Sequence, residues 1–178
     1  MSEQETLFSG DFLRLCRTGR WEYVQRVNAQ GAAVIVAVTP DDELLLVEQP
    51  RPALGGPVIE LPAGLVGDIP GAEDEARATA AARELEEETG WRPDRMRYLT
   101  GGPPSAGLSG ETLWFFRAIS LTRVGDGGGD DSEDITVHTI GLDDVDAWLA
   151  EREAAGIPVD PKVYTGLYFI RCRPETAS

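Results

Sequence analysis

The sequence is poor in positive charge. Its 178 residues carry 16 Lys+Arg against 31 Asp+Glu, a formal net charge of −15. That balance argues against a basic surface able to grip nucleic acid or an anionic bilayer, and at first sight against any phosphate-bearing ligand. Histidine is almost absent. His138 is the only one; it falls on an expected strand away from every arginine motif, so it reads as structural and no histidine-based mechanism is expected. Cys16 and Cys172 stand at opposite ends without C-x-x-C spacing, which suggests neither a zinc site nor a disulfide framework. Two free thiols fit a reducing compartment. No apolar run approaches the roughly 18–20 residues of a membrane span. The opening Met1-Ser-Glu-Gln-Glu-Thr has neither the basic nor the apolar region of a signal peptide. The expected compartment is the cytoplasm, with neither nucleic acid nor membrane as partner.

What is present is a core-forming composition, 42% hydrophobic and 26% charged, sized for one domain with a small terminal extension. Trp21-Glu-Tyr-Val-Gln-Arg-Val27 alternates in strand period. Residues 32–38 form a continuous apolar, β-branched run, and Pro40-Asp-Asp supplies a turn into a second strand at 44–47, so a hairpin is expected. Short strands follow at 58–61 and 97–100, a strongly β segment at 112–119, and another strand at 135–140. The Gly/Asp-rich stretch 125–134 reads as a surface loop. Residues 72–89 form the one strong helix, stopped by Gly90. Further helices fit 143–152, with Asp143 or Asp144 as N-cap, and 162–171. Strands around one central helix, with helices at the end, give an α/β sandwich rather than a regular βαβ array.

The informative stretch is Arg83-Glu84-Leu85-Glu86-Glu87-Glu88-Thr89-Gly90. On a helix, Glu84, Glu87 and Glu88 stand at i, i+3 and i+4 and share one face, while Leu85, Ala81 and Ala78 face the core. Like charges on one turn cost a few tenths of a kcal/mol per pair. Arginine, or a divalent cation held by carboxylate oxygens, recovers that cost; Mg²⁺ prefers such hard ligands together with waters and phosphates. The helix alone reads rather as a solvated acidic face; its context points the other way.

Taken with Gly64, Glu75 and Trp91, the stretch resembles the Nudix box, whose pattern is Gly-x5-Glu-x7-Arg-Glu-U-x-Glu-Glu-x-Gly-U, U being bulky and apolar. From Glu75 onward the spacing fits. Ten residues rather than five separate Gly64 from Glu75, so a small insertion precedes the helix. The resemblance implies a Nudix-type α/β/α sandwich spanning 31–178, with residues 1–30 as an N-terminal strand extension. It implies hydrolysis of a nucleoside diphosphate linked to another moiety. By position, Glu84 and Glu88 are the expected metal ligands, Glu87 follows, and the carbonyl of Ala63 is a further one. Arg83 orients a helix glutamate. The expected cofactor is Mg²⁺, with Mn²⁺ as a substitute.

Trp21-Glu-x-Val-x-Arg26, Glu48-Gln-x-Arg51-Pro52, Glu60-Leu-Pro-Ala-Gly64 and Asp160-x-Lys-Val-Tyr are similar to ADP-ribose pyrophosphatases, a branch in which N-terminal strands exchange across a homodimer. Trp21 offers a face for adenine stacking, worth about 1–3 kcal/mol per base, and Glu22 accepts from the base amino group. Arg26 and Arg51 are fork-shaped donors for pyrophosphate oxygens. Glu60 either contacts the sugar or forms a structural salt bridge. The marker proline of the branch is replaced by Ala106, which leaves other nucleotide sugars open.

Bound divalent metal polarises phosphoryl oxygens and acidifies water; a carboxylate within reach then serves as base. In this branch it comes from an acidic loop before a late strand, here Asp130-Asp-Ser-Glu133-Asp-Ile135, with Glu133 expected first and Asp131 second. The expected reaction splits ADP-ribose into AMP and ribose 5-phosphate. Hydrolysis of GDP-mannose, other nucleoside diphosphate sugars or dinucleoside polyphosphates is the alternative and would change only the base pocket. A non-catalytic Nudix-fold binding module would have lost box glutamates, which are all present. The acidity thus concentrates at the expected metal centre, and phosphate binding should require divalent metal.

Overall fold

The structure, a computed structural model, describes residues 3–67, 76–129 and 134–172. Three sheets and three helices make up an α/β sandwich. A three-stranded antiparallel meander comes first: β1 (Gln4–Ser9), β2 (Leu13–Thr18) and β3 (Trp21–Arg26). The central mixed sheet has the order β7-β4-β9-β8, formed by β4 (Gly31–Val36), β7 (Ala63–Val66), β8 (Trp91–Gly102) and β9 (Leu113–Arg123); β4 and β9 run parallel. The third sheet has the order β10-β5-β6, from β5 (Glu43–Arg51), β6 (Gly56–Glu60) and β10 (Thr136–Gly141). The helices are α1 (Arg77–Thr89), α2 (Val145–Ala154) and α3 (Pro161–Cys172).

The continuous apolar runs are buried on both faces, as central strands covered by helices must be. Ala33 and Ile35 of β4 join Trp114 and Phe116 of β9 against Ala80, Ala81 and Leu85 of α1. Val34, Val36, Leu113 and Phe115 face the other way, onto Leu44, Leu46 and Ile59 and onto Val145, Leu149, Val163 and Leu167 of α2 and α3. A helix on one face and a second sheet with two helices on the other give the expected sandwich.

Several boundaries differ from the sequence reading. The expected hairpin closes only at its turn, through the Val38–Leu44 bridge; β4 and β5 then diverge into different sheets, which lets one strand serve each core. Helix α1 begins at Arg77 after an extended Ala76; residues 72–75 lie outside those described. Strand β8 is longer than 97–100 because it is a sheet edge, where alternating arginines remain solvated and Pro93 removes no needed ladder bond. Asp144 occupies the N-cap position of α2 without a side-chain bond, whereas Asp160 caps α3 by accepting the Lys162 N–H at 2.8 Å. Arg92 hydrogen-bonds Glu86 and holds its carboxyl below the usual carboxylate range.

The Gly-rich stretch is not a free surface loop at its start. The N–H groups of Gly128 and Gly129 donate to the carbonyls of Glu88 and Glu87 at 2.7 and 3.1 Å, and Val124 N–H donates to Gly90 at 2.8 Å. Helix α1 leaves its last carbonyls without intrahelical partners, and this segment supplies them.

Candidate active site

One cleft of about 420 Å³ lies between the start of β7, the inner face of α1 and the ends of β3, β5 and β6. Arg26, Gln49, Arg51, Glu60, Ala63, Gly64, Glu84, Glu88, Glu111 and Lys162 line it. Arg26, Arg51, Glu60, Ala63, Glu84 and Glu88, half of the site residues expected from the sequence, therefore meet in one place, carried by five different elements.

Helix α1 contributes the carboxylates. Glu88 is buried, at 3% exposure, and its Oε2 accepts the Ala63 N–H at 3.1 Å; the strand that begins with Ala63-Gly64 is thereby pinned to the helix. Glu84 lies so close against Gly64 that a Cβ there would displace its carboxylate. Arg83 reaches Glu84 Oε1 at 2.9 Å and Glu87 Oε2 at 3.0 Å, which relieves the like-charge crowding on this turn. Glu87 is half exposed and does not line the cleft.

Opposite the helix sit cations held by partner carboxylates. Arg51 Nε donates to Glu60 Oε2 at 2.8 Å, and Arg51 Nη2 reaches the same oxygen at 2.5 Å. Glu60 is buried, so the salt-bridge alternative is the geometry observed. Arg26 pairs with Glu111 Oε1 at 2.5 Å. Lys162 is bonded to Asp160. Each cation is oriented by a carboxylate while keeping further donors for an anion, since guanidinium carries five N–H groups and ammonium three.

Among the described residues, no three acidic side chains converge into a complete protein-only metal site. The donor chemistry nevertheless fits a hard divalent cation. Glu84 and Glu88 offer only oxygen donors at one wall, and Mg²⁺ takes few protein carboxylates and completes its shell with water and phosphate.

Trp21 and Glu22 line a separate cleft of about 280 Å³ with Tyr23, Ala106, Gly107 and Gly110. Trp21 is 60% exposed. The loop that carries Ala106 is tied to β3 by Val24 N–H to Leu108 carbonyl at 2.9 Å and Gly110 N–H to Val24 carbonyl at 3.0 Å, so the branch-marker position sits beside the aromatic face. Within one chain, this cleft and the carboxylate cleft are lined by different residues. Asp131 and Glu133 lie outside the described residues. His138 bonds Glu48 Oε2 at 3.0 Å and packs on Trp148, away from the cleft, which fits its structural reading.

Three lining residues have no individual role in the sequence reading. Lys162 stands inside the Asp160-x-Lys-Val-Tyr motif, and Glu111 immediately precedes the strongly β segment at 112–119. Gln49, inside Glu48-Gln-x-Arg51-Pro52, is buried at 8% exposure on the wall of the cleft. A polar residue interrupting the apolar β5 run is the signal available for Gln49.

An α/β/α sandwich whose central helix turns glutamates toward a cleft walled by arginines can hold a cation and a phosphorylated ligand side by side. A family model described as the NUDIX domain matches residues 29–162, and the chain belongs to this family as a Nudix hydrolase. Its relatives include the methanol dehydrogenase activator of Bacillus methanolicus, 28% identical over 155 residues, with 83% of this chain and 81% of the relative covered. Another is the ADP-ribose pyrophosphatase of Bacillus subtilis, 29% identical over 157 residues, with 84% and 82% covered. A solved ADP compounds hydrolase shares the fold with a TM-score of 0.70 at 19% identity, covering 96% of this chain and 91% of the other.

Proposed function

We propose that this protein hydrolyses the pyrophosphate bond of ADP-ribose or a closely related nucleoside diphosphate sugar, with Mg²⁺ or Mn²⁺, releasing AMP and a sugar phosphate. The observation that carries the reading is the joint placement of Glu84, Glu88, Arg26 and Arg51 in one cleft. Carboxylates alone suit a cation, and arginines alone suit an anion. Both together suit a metal-bridged pyrophosphate. The ADP-ribose pyrophosphatase among the relatives supports the adenine-containing substrate.

In this reading Glu84, Glu88 and the Ala63 carbonyl hold the metal, with Glu87 joining when Arg83 releases it. A bound divalent cation neutralises phosphoryl charge and acidifies water. Arg26 and Arg51 bind the pyrophosphate oxygens as bidentate donors. Glu60 acts through Arg51, fixing its guanidinium plane. Arg83 positions Glu84 and does not touch substrate. Glu133, or Asp131 as second choice, takes the proton of the attacking water. Trp21 stacks on the base and Glu22 accepts from its amino group.

The reading includes a homodimer in which residues 1–30 bring the base-stacking cleft of one chain to the carboxylate cleft of its partner. Strand β1 is exposed along its whole length, and Leu7, Phe8 and Phe12 are exposed on or beside it, which supports a partner on this sheet. Two free cysteines suit a reducing cytoplasm.

A substrate panel of ADP-ribose, other nucleoside diphosphate sugars, dinucleoside polyphosphates and nucleoside triphosphates, with and without Mg²⁺, tests the assignment. The expected result is metal-dependent release of AMP, fastest from ADP-ribose. Preferential turnover of GDP-mannose or of triphosphates would replace the substrate and leave the metal reading in place.

A further inference from the structure

Beside the carboxylate cleft lies a second cavity of about 520 Å³, lined among others by Thr100, Gly102, Pro104, Asp160, Lys162 and Thr165. The two hollows share Leu113 and Lys162. Lys162 thus stands at their junction.

This residue is unusual in three ways. Of the 16 Lys+Arg residues, all but Lys162 are arginine, so it is the only lysine of the chain. It occupies the first turn of α3, where the helix dipole disfavours a cation. Its position is also built rather than incidental. Ile59 N–H donates to the Pro158 carbonyl and Asp160 N–H to the Ile59 carbonyl, both at 2.9 Å, which sews residues 158–160 to β6. Asp160 then caps α3 and holds the ammonium, and Glu60 Oε1 stands 4.0 Å away on the cleft side. An ammonium has three donors, and the arrangement leaves capacity toward the open junction.

We propose that Lys162 and the adjoining cavity form the subsite for the sugar-phosphate half of the substrate. Lys162 contacts the phosphate that leaves with the sugar, and the cavity takes the sugar itself. This deepens the proposed function and rests on its reading of the carboxylate cleft as the point of cleavage. The cavity chemistry suits a polyol. The Asp160 carboxylate accepts from sugar hydroxyls, the Thr165 hydroxyl adds a neutral partner, and Gly102 leaves open space at its Cβ position. The volume lies within the roughly 300–1,000 Å³ of ligand pockets. A compact point charge on a flexible stem also suits a phosphate that must depart with product, whereas a forked guanidinium holds it bidentately.

Because Lys162 is the only lysine, its side chain can be followed chemically. The intact protein, with Mg²⁺, is treated with a lysine-directed acylating reagent, and the Lys162 peptide is resolved from the α-amino group by mass mapping. Saturating ribose 5-phosphate should slow acylation of Lys162 about tenfold, as expected for loss of access to a charge-assisted contact, while AMP should leave it unchanged. Failure of ribose 5-phosphate to protect, or equal protection by AMP, would overturn the proposal. This arm needs no turnover, and repeating it with the sugar phosphate of whichever nucleoside diphosphate sugar the substrate panel selects keeps failure of the subsite distinct from failure of the ADP-ribose assignment. In a second arm, Lys162→Met should raise KM for each nucleoside diphosphate sugar hydrolysed, and weaken inhibition by ribose 5-phosphate, about tenfold each. AMP inhibition should stay as in the wild type. An unchanged ribose 5-phosphate inhibition constant in the variant sinks the subsite even if ADP-ribose proves to be the substrate.

Discussion

Gly64 and Glu84 touch as no other residue pair at those positions could: a Cβ on Gly64 would fall 1.8 Å from Glu84 Cδ and 2.2 Å from its Cγ. The obstacle is the far end of a flexible side chain, so the fold can accept Gly64→Ala by swinging the Glu84 carboxylate away. The consequence is a separation of stability from activity. Gly64→Ala should melt within a few degrees of wild type, while kcat falls about a hundredfold, the scale of an ångström-sized misplacement of a catalytic group. Thermal melts and steady-state kinetics on the same preparation check it, and full activity in the variant would show that the Glu84 position does not matter.

Removing charge without removing shape asks the same question more directly. Glu84→Gln and Glu88→Gln keep the side-chain volume, and in the second variant the new amide oxygen can still accept the Ala63 N–H that Glu88 Oε2 accepts now. Each variant should fold normally and lose kcat by about two or more orders of magnitude at saturating Mg²⁺. Near-normal turnover in both would remove these residues from the metal site.

How far the sequence reaches can be judged from these same elements. Glu84 and Glu88 were legible because a helix of known period places them together, and Ala80, Ala81 and Leu85 anchor its opposite face. The two-faced burial of β4 was legible from its unbroken apolar run. The fate of the expected β4–β5 hairpin was not, since the choice between pairing and diverging depends on non-local strands β9 and β10. Nor was the docking of Gly128 and Gly129 on α1: glycine composition signals freedom of backbone, and only the fold shows where that freedom is used for close approach. Lys162 was invisible as a junction because Asp160 and Glu60 come from distant segments joined by the Ile59–Val159 bridge.

Trp21 gives a prediction that separates base binding from chemistry. Trp21 is 60% exposed and lines a cleft apart from the carboxylates. Trp21→Ala should therefore raise KM for ADP-ribose by about ten- to a hundredfold, the equivalent of about 1–3 kcal/mol of stacking, with a smaller change in kcat. A larger loss in kcat than in KM, or a large drop in melting temperature, would make Trp21 a structural residue.

The glycine segment after β9 allows a comparison controlled for backbone strain. Gly127 and Gly156 both have left-handed backbones, with φ of 71° and 82°. A Cβ at Gly156 meets nothing within 4 Å, whereas one at Gly127 would fall 2.4 Å from the Thr89 carbonyl carbon and 2.6 Å from the Glu88 carbonyl oxygen. Gly156→Ala should cost only the left-handed strain, about 1 kcal/mol. Gly127→Ala carries the same strain and must also lift the segment off α1, breaking the Gly128 and Gly129 bonds to Glu88 and Glu87. With about 1 kcal/mol net for each hydrogen bond lost, it should be roughly 2 kcal/mol less stable than Gly156→Ala in urea unfolding. Those carbonyls belong to the turn that carries Glu88, so Gly127→Ala should also reduce kcat, and Gly156→Ala should not. Equal stability and equal activity in the two variants would mean that the contact with α1 contributes nothing.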